Sequence, residues 1–243
     1  MPVPLFIAHR GASDAAPENT LAAFRMAWDE GADGIEGDFR LTADGKVVCI
    51  HDANTGRTAG KRHTVERCHW KTLAGLDVGS WKGKRFAGER IPLLEEVLET
   101  MPEEKRLFIE IKSGPKIIDP LVEALETQHA DPERIVLMSF DSGIVSACRE
   151  RMPAYQSHLI HSLKGVAKPE KAAAYAAEFK QCGAQGLQFD CKAHVSAKWL
   201  AALKCPLTSW TVNDVRAARK VIALGVNFIT TNKPAELRAR LGM

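Results

Sequence analysis

Short apolar segments alternate with longer amphipathic ones along almost the whole chain, and this alternation restricts the fold more than any other feature of the sequence. Each pair of segments is typical of a β-strand followed by an α-helix, the repeating unit of parallel sheets. Strands are predicted near residues 5–9, 34–40, 107–112, 135–139, 157–161, 186–190, 207–212 and 227–231. Eight such units favour an α/β protein with a closed (β/α)8 TIM barrel. An open doubly wound sheet usually has fewer strands and begins with a GxGxxG loop, which this sequence lacks.

One stretch after the second predicted strand departs from the alternation. Residues 41–45 form a turn signal, Leu-Thr-Ala-Asp-Gly, and residues 46–51 then read as the second arm of a hairpin. The segment at about 54–90 is predicted to be a small insertion before a helix at about 92–101. Loops of this length are usually functional or disordered, and the aromatic residues of this one argue against disorder: Trp70, Trp81 and Phe86. We therefore predict that residues 1–243 form one barrel domain that carries this insertion.

Charge and cysteine content exclude several kinds of partner. The chain has 33 basic and 30 acidic residues, and neither sign forms a long block, so we predict no binding to nucleic acid. No stretch approaches the roughly 20 apolar residues of a membrane span, and the first residues do not resemble an export signal. The six cysteines include no CxxC pair and are predicted to be reduced. These features predict a cytoplasmic protein.

Polar residues lie where predicted strands end, the position of catalytic groups in (β/α)8 barrels. Glu36 and Asp38 are two residues apart and share one face of a strand, and Glu110 and Lys112 repeat that spacing on another strand. Three carboxylates within about 4 Å would repel by several kcal/mol per pair at an effective dielectric near 20. One divalent cation would relieve this repulsion, as would ion pairs with Lys112 or Arg10. The spacing leaves both alternatives open, and all-oxygen ligands favour Mg²⁺ or Ca²⁺.

Two histidines at strand ends, His9 and His51, are candidates for proton transfer, because an imidazole can gain or lose a proton near neutral pH. The other six histidines are predicted to be structural, although two of them also lie near the end of a strand, His158 and His161.

Arg10 and Lys112 provide positive charge suited to a phosphate group, and a guanidinium can contact phosphate oxygens in a bidentate manner. Partnership with the acidic residues of the site is the alternative, and both roles can hold at once. Residues 17–20 read Pro-Glu-Asn-Thr before an apolar helical segment. Asn19 or Thr20 could cap that helix, and Asn19 is the one predicted to do so, while Glu18 is a candidate site residue.

Taken together, these motifs resemble the glycerophosphodiester phosphodiesterase family over nearly the whole chain. They are HRG with PENT, EGD, HD, ERIPLLEE, EIK, SF and WTVN, at residues 9–20, 36–38, 51–52, 89–96, 110–112, 139–140 and 210–213. Each motif alone is weak, whereas their order and their placement at strand ends are specific. The resemblance implies a barrel enzyme that hydrolyses glycerophosphodiesters to glycerol 3-phosphate and an alcohol.

The resemblance also implies roles for individual residues. One divalent cation, Mg²⁺ or Ca²⁺, would be bound by three carboxylates: Glu36, Asp38 and Glu110. Two histidines would form the acid–base pair: His9 and His51. Two basic residues would contact the phosphate, with an indole against the glycerol moiety: Arg10, Lys112 and Trp210. The expected partner is a small glycerophosphodiester, and the oligomeric state stays open.

One departure from the family is visible, since Asn232 stands where an Asp is frequent, and we expect it to affect helix capping or glycerol contact. The insertion at 54–90 argues against the related sphingomyelinase D type, which has a shorter connection there. Two further alternatives are a phosphate-ester binding protein without catalysis and a relative of phosphatidylinositol-specific phospholipase C.

Overall fold

The computed structural model describes residues 3–243, in which a sheet of nine strands is closed into a barrel. The strands are β1 (Leu5–His9), β2 (Gly34–Leu41), β3 (Val47–Cys49), β4 (Arg106–Ile111), β5 (Ile135–Ser139), β6 (Gln156–His161), β7 (Gly186–Asp190), β8 (Leu207–Trp210) and β9 (Phe228–Thr231). All except β3 run parallel, and the ring closes because β1 pairs with both β2 and β9. The predicted (β/α)8 barrel is confirmed. β3 pairs antiparallel with β2, which confirms the predicted hairpin.

Helices connect the strands on the outside of the barrel. Within the described range they are α1 (Leu21–Asp29), α2 (Gly56–Ala59), α3 (Trp70–Leu73), α4 (Leu94–Glu99), α5 (Ile118–Thr127), α6 (Ser142–Arg151), α7 (Pro169–Gln181), α8 (Ala197–Ala202), α9 (Val215–Ala223) and α10 (Pro234–Leu241). The helix predicted at 92–101 is shorter, because the Pro92 carbonyl accepts a hydrogen bond from the Cys49 N–H and so lies outside it. Between residues 3 and 243, no helix combines the length and the apolar character needed to cross a membrane.

The start of α1 differs from the prediction. Thr20, not Asn19, is the N-cap, since its hydroxyl accepts a hydrogen bond from the Ala23 N–H at 3.3 Å. Asn19 has a left-handed φ of 57° and is buried. The backbone at Asn19 therefore turns the amide away from the helix and into the protein, and the cap falls to the next residue.

The barrel interior mixes apolar and polar side chains. Its apolar part is one cluster: Ile7, Phe108, Val136, Met138 and Ile160. His158 on β6 is fully buried, and burial lowers its pKa to about 3. A Cβ at Gly186, opposite on β7, would overlap the imidazole. A residue without a side chain is therefore needed there, and His158 is a neutral structural residue of the barrel.

The segment predicted as an insertion contributes Val65, Leu73 and Val78 to a small apolar cluster that it shares with the residues on either side of it, Val48, Ile50 and Ile91. Trp81 remains 44% exposed, although its indole N–H donates to a backbone carbonyl at 2.8 Å. Lys82 and Arg85 donate to the carbonyls of Ser13 and Ala15 at 2.8 and 3.0 Å. These contacts fasten the segment to the loop between β1 and α1.

His158→Gln is expected to reduce the sensitivity of the fold to acid. The folded-state pKa of about 3 lies below the unfolded value near 6.5, so the unfolded chain binds more protons between these values. The free energy of unfolding therefore falls as the pH falls below about 6.5. From pH 7 to pH 5 this group lowers the free energy of unfolding by about 2 kcal/mol. The variant avoids that loss.

Urea unfolding at the two pH values measures this difference. His194→Gln is the matched control, because His194 is exposed. Equal losses of unfolding free energy in the two variants would contradict the prediction.

Candidate active site

A cavity of about 140 Å³ opens at the C-terminal ends of the barrel strands. Its lining includes seven of the nine predicted site residues, and the full set is His9, Arg10, Glu36, His51, Glu110, Lys112, Met138, Phe140, Ile160, Gln188, Trp210, Thr211 and Thr230. The other two, Asp38 and Glu18, lie behind Arg10, at 3.2 and 2.9 Å from its guanidinium. The structure therefore brings all nine residues into one neighbourhood.

Strand register brings the three carboxylates together. His9 lies beside Glu36, and Asp38 lies beside Glu110, in adjacent parallel strands. All three acids are buried, and each offers an oxygen within 4.8 Å of the others. Oε2 of Glu36 accepts the Arg10 backbone N–H at 2.9 Å, whereas Oε1 has no hydrogen-bond partner among residues 3–243.

Two cationic side chains offset part of this negative charge. Arg10 Nε and Lys112 Nζ lie 3.2 and 3.1 Å from the Asp38 carboxylate, and Lys112 also pairs with Glu110. The ion-pair alternative from the sequence therefore holds for Asp38 and Glu110. Within residues 3–243, Glu36 accepts a hydrogen bond only from a backbone N–H, and His9 Nε2 lies 4.0 Å from the same oxygen. The other oxygen is free, so the two alternatives are compatible.

The three carboxylates differ in how readily they ionise. Burial, followed by the charges of Asp38 and Glu110, raises the pKa of Glu36 well above its usual range. Burial and Asp38 raise the pKa of Glu110 to about 7, in spite of Lys112. Burial also opposes ionisation of Asp38, but Arg10 and Lys112 outweigh it and its pKa lies below the usual range. An all-oxygen set with excess negative charge and a free lone pair fits a hard divalent cation.

The turn after β1 depends on tight packing against α1. Arg10 and Gly11 both have left-handed φ angles, of 57° and 79°. A Cβ at Gly11 would lie 2.6 Å from the backbone of Ala23 in α1, so only glycine fits. For an arginine this conformation costs of order 1 kcal/mol, and the hydrogen bond from its N–H to Glu36 helps to maintain it.

The two candidate histidines have different partners. His9 Nδ1 lies 2.7 Å from Oδ1 of Asn232, whose N–H donates to Asn213. His51 Nδ1 lies 2.7 Å from Oδ1 of Asp52. Because a carboxylate only accepts hydrogen bonds, Nδ1 of His51 is the donor, and its Nε2 is left for other contacts. Asn232 therefore contacts His9, whereas Lys233 is the N-cap of α10, and the glycerol contact expected from the sequence stays a prediction.

Burial, followed by the charge of Arg10, lowers the pKa of His9 to about 4. His9 is therefore neutral at pH 7, whereas Asp52 places a negative charge beside the ring of His51.

Several functional candidates were missed in the sequence. Asn19 donates to the Asp38 carboxylate at 2.8 Å and accepts from its N–H at 3.1 Å. Gln188 is buried in the cavity wall, and its amide nitrogen has no partner in the described chain. Phe140 is half exposed and meets Trp210 edge to face, with ring centroids 5.5 Å apart. The PENT and SF motifs marked two of these positions, whereas Gln188 carried no signal beyond its place in a strand.

Known proteins share this fold and this sequence pattern. The family model of the glycerophosphoryl diester phosphodiesterase family matches residues 9–236. A glycerophosphodiester phosphodiesterase of Caldanaerobacter subterraneus is 35% identical, and the match covers 96% of each chain. One from Bacillus altitudinis is 31% identical over 93% of this chain and 94% of its own. An Oleispira antarctica phosphodiesterase, solved in complex with the product sn-glycerol-3-phosphate, superposes with a TM-score of 0.88 at 25% identity, over 99% of this chain and 98% of that chain.

The barrel and these matches show that the chain is a phosphoric diester hydrolase. More narrowly, it belongs to the glycerophosphoryl diester phosphodiesterase family.

Asn19→Asp is expected to destabilise the fold by about 3 kcal/mol, measured by urea unfolding in the presence of a chelator. The change replaces the amide that donates to Asp38 by a second carboxylate, which loses a charged hydrogen bond and adds repulsion between buried groups.

Asn213→Asp is the matched control. Oδ1 of Asn213 accepts from Thr231 and from the Asn232 N–H, so an Asp at 213 keeps both bonds and is expected to cost less than about 1 kcal/mol. Equal losses in the two variants would contradict the assigned role of Asn19.

Proposed function

We propose that the chain hydrolyses glycerophosphodiesters to glycerol 3-phosphate and an alcohol, using one divalent cation, Mg²⁺ or Ca²⁺, bound by Glu36, Asp38 and Glu110. The observation that carries the proposal is the free oxygen of Glu36 among three buried carboxylates, at the edge of a cavity that also presents Arg10 and Lys112. The family supports the substrate class, and the Oleispira neighbour holds the corresponding product.

Arg10 and Lys112 are suited to bind the phosphate of the substrate. Both line the cavity, and both are held by Asp38 at about 3 Å, so their donors are oriented before substrate arrives. Fixed cations of this kind stabilise the charge that builds on phosphoryl oxygens in the transition state. A divalent cation held by the three carboxylates would supply further positive charge to the phosphoryl oxygens.

His9 and His51 take opposite parts in proton transfer in this proposal. His9 is neutral at pH 7, with its pKa at about 4, and so is ready to accept the proton of the nucleophile, which is water or, if a cyclic phosphate forms before water opens it, a glycerol hydroxyl. His51 donates to the leaving alcohol, with its ring held by Asp52 through the contact of 2.7 Å at Nδ1.

The remaining predicted residues shape the glycerol and phosphate contacts. Trp210 lines the cavity, and Phe140 packs against its ring, which supports an apolar wall for the glycerol moiety. Glu18 does not line the cavity. It hydrogen-bonds the Arg10 guanidinium at 2.9 Å, and we propose that it orients Arg10 without touching substrate.

Domain organisation and location complete the proposal. We propose one domain over residues 1–243, of which residues 1 and 2 lie outside the described part, with the insertion at about 54–90. The apolar cluster that joins this segment to β3 supports its place within one domain. A cytoplasmic location is supported by the six cysteines, which are all free, as reducing compartments require.

Metal binding is expected to depend on Glu36. Chelator-treated protein titrated with Mg²⁺ or Ca²⁺ should gain about 2.7 kcal/mol of unfolding free energy at a hundred times the dissociation constant, and the glycerol 3-phosphate release lost on chelation should return. Glu36→Gln should show neither effect. Glu236→Gln changes an acid on α10 away from the cavity and should behave as wild type. Equal metal stabilisation in Glu36→Gln would refute the ligand set.

The role of His51 as acid is expected to depend on the leaving group. His51→Ala should lower kcat by about 10²–10⁴ for glycerophosphocholine, whose alkoxide leaving group needs a proton. With the p-nitrophenyl ester of glycerol 3-phosphate the loss should be less than about tenfold, because p-nitrophenolate leaves without one. His9→Ala should impair both substrates alike. If His51→Ala lowered kcat equally for the two esters, a residue other than His51 would be the proton donor.

A further inference from the structure

Arg57 is the one residue that hydrogen-bonds both Glu18 and Asp52 among residues 3–243. It lies on α2, at the start of the inserted segment. Its NH1 and NH2 groups donate to the two oxygens of Glu18, each at 2.8 Å. Its Nε and NH2 groups donate to the two oxygens of Asp52, at 2.8 and 3.2 Å. The guanidinium thus forms a bidentate contact with each of two carboxylates.

Each of these carboxylates also holds a residue of the cavity wall. Glu18 accepts from the Arg10 guanidinium at 2.9 Å, and Asp52 lies 2.7 Å from Nδ1 of His51. Arg57 itself does not line the cavity. Arg57 therefore contacts the predicted phosphate contact, Arg10, only through Glu18, and the predicted acid, His51, only through Asp52.

The contacts are too exposed to matter mainly for stability. The Arg57 side chain is 43% exposed, that of Asp52 is 30% exposed and that of Glu18 is 14% exposed, and ion pairs with an exposed arginine contribute roughly 0–1 kcal/mol. Their geometry is nevertheless specific, because the planar fork of an arginine fixes the direction of both carboxylates at once. A lysine would carry the charge without the fork.

Resting on the proposed function, we infer that Arg57 is a positioning residue that fixes His51 through Asp52 and Arg10 through Glu18. It couples the proton donor to the phosphate contact, two groups carried by loops that are far apart in sequence. Its contacts form two branches, one through Asp52 and one through Glu18, and the two branches act on different kinetic constants. The Asp52 branch acts on kcat through proton transfer, and the Glu18 branch acts on KM through phosphate binding.

The test compares Arg57→Met and Arg57→Lys with Arg151→Met, using glycerophosphocholine with saturating Mg²⁺ or Ca²⁺. Arg151 is the matched control, since it forms an exposed pair with Asp119 at 2.6 Å on the outside of the barrel. Arg57→Met should lower kcat/KM about 100-fold, the usual scale for misplaced reacting groups, and Arg57→Lys should recover less than about a tenth of that loss. The control should match wild type, and all three variants should melt within about 2 °C of it.

Two double variants separate the branches. In the Asp52→Asn background, Arg57→Met should raise KM but change kcat by less than about twofold. In the Glu18→Gln background it should lower kcat but leave KM within about twofold. Ethylguanidinium should restore part of the activity of Arg57→Ala, which an unfolded protein could not show.

Wild-type kinetics in Arg57→Met would overturn the inference. It would also be overturned if Arg57→Met lowered kcat and raised KM in both double variants. Wild-type protein that releases no glycerol 3-phosphate would instead refute the proposed function, so the two failures are distinguishable.

Discussion

The mutual repulsion of three buried carboxylates is the constraint on which the rest of the site depends. With oxygens within 4.8 Å, each pair of charges repels by roughly 3–4 kcal/mol at an effective dielectric near 20. The chain offsets this repulsion unequally. Arg10 and Lys112 converge on Asp38, whereas Glu36 keeps an oxygen without a partner in the part of the chain that the structure describes. The cationic groups that reduce the repulsion, Arg10 and Lys112, are also the phosphate contacts that we propose.

A second layer of polar side chains contacts these groups and holds them in place. Its members differ in charge. Neutral amides contact two of the inner groups: Asn19 contacts Asp38, which would repel an added negative charge, and Asn232 contacts His9. A carboxylate, Asp52, lies beside His51 at the more exposed side of the cavity. Replacing an amide by the matching acid in this layer changes charge without changing shape, and the two histidines consequently differ in their surroundings although both end strands.

Much of the fold and of the inner site could be predicted from sequence, because both depend on local patterns. Strand runs are short and apolar, and residues two apart on a strand share a face, so the spacing of Glu36 and Asp38 was enough to place them together. Contacts that depend on loop conformation could not be predicted. Asn19 resembles a helix cap in its sequence context, and only the left-handed backbone at that residue directs its amide to Asp38. Arg57 lies in a segment without regular periodicity, whose path across the barrel mouth is decided by tertiary packing.

The closure of the barrel brings His9 and Asn232 to adjoining strand ends, although 223 residues separate them. The same seam joins β1 to β9 and carries Asn213 as a further support. During synthesis, β1 with His9 is made first, and β9 is made last. Until β9 is in place, His9 lacks the partner that orients its ring. A chain cut between Trp210 and Asn232 would therefore carry all nine predicted site residues but not the side chain that holds the ring of His9.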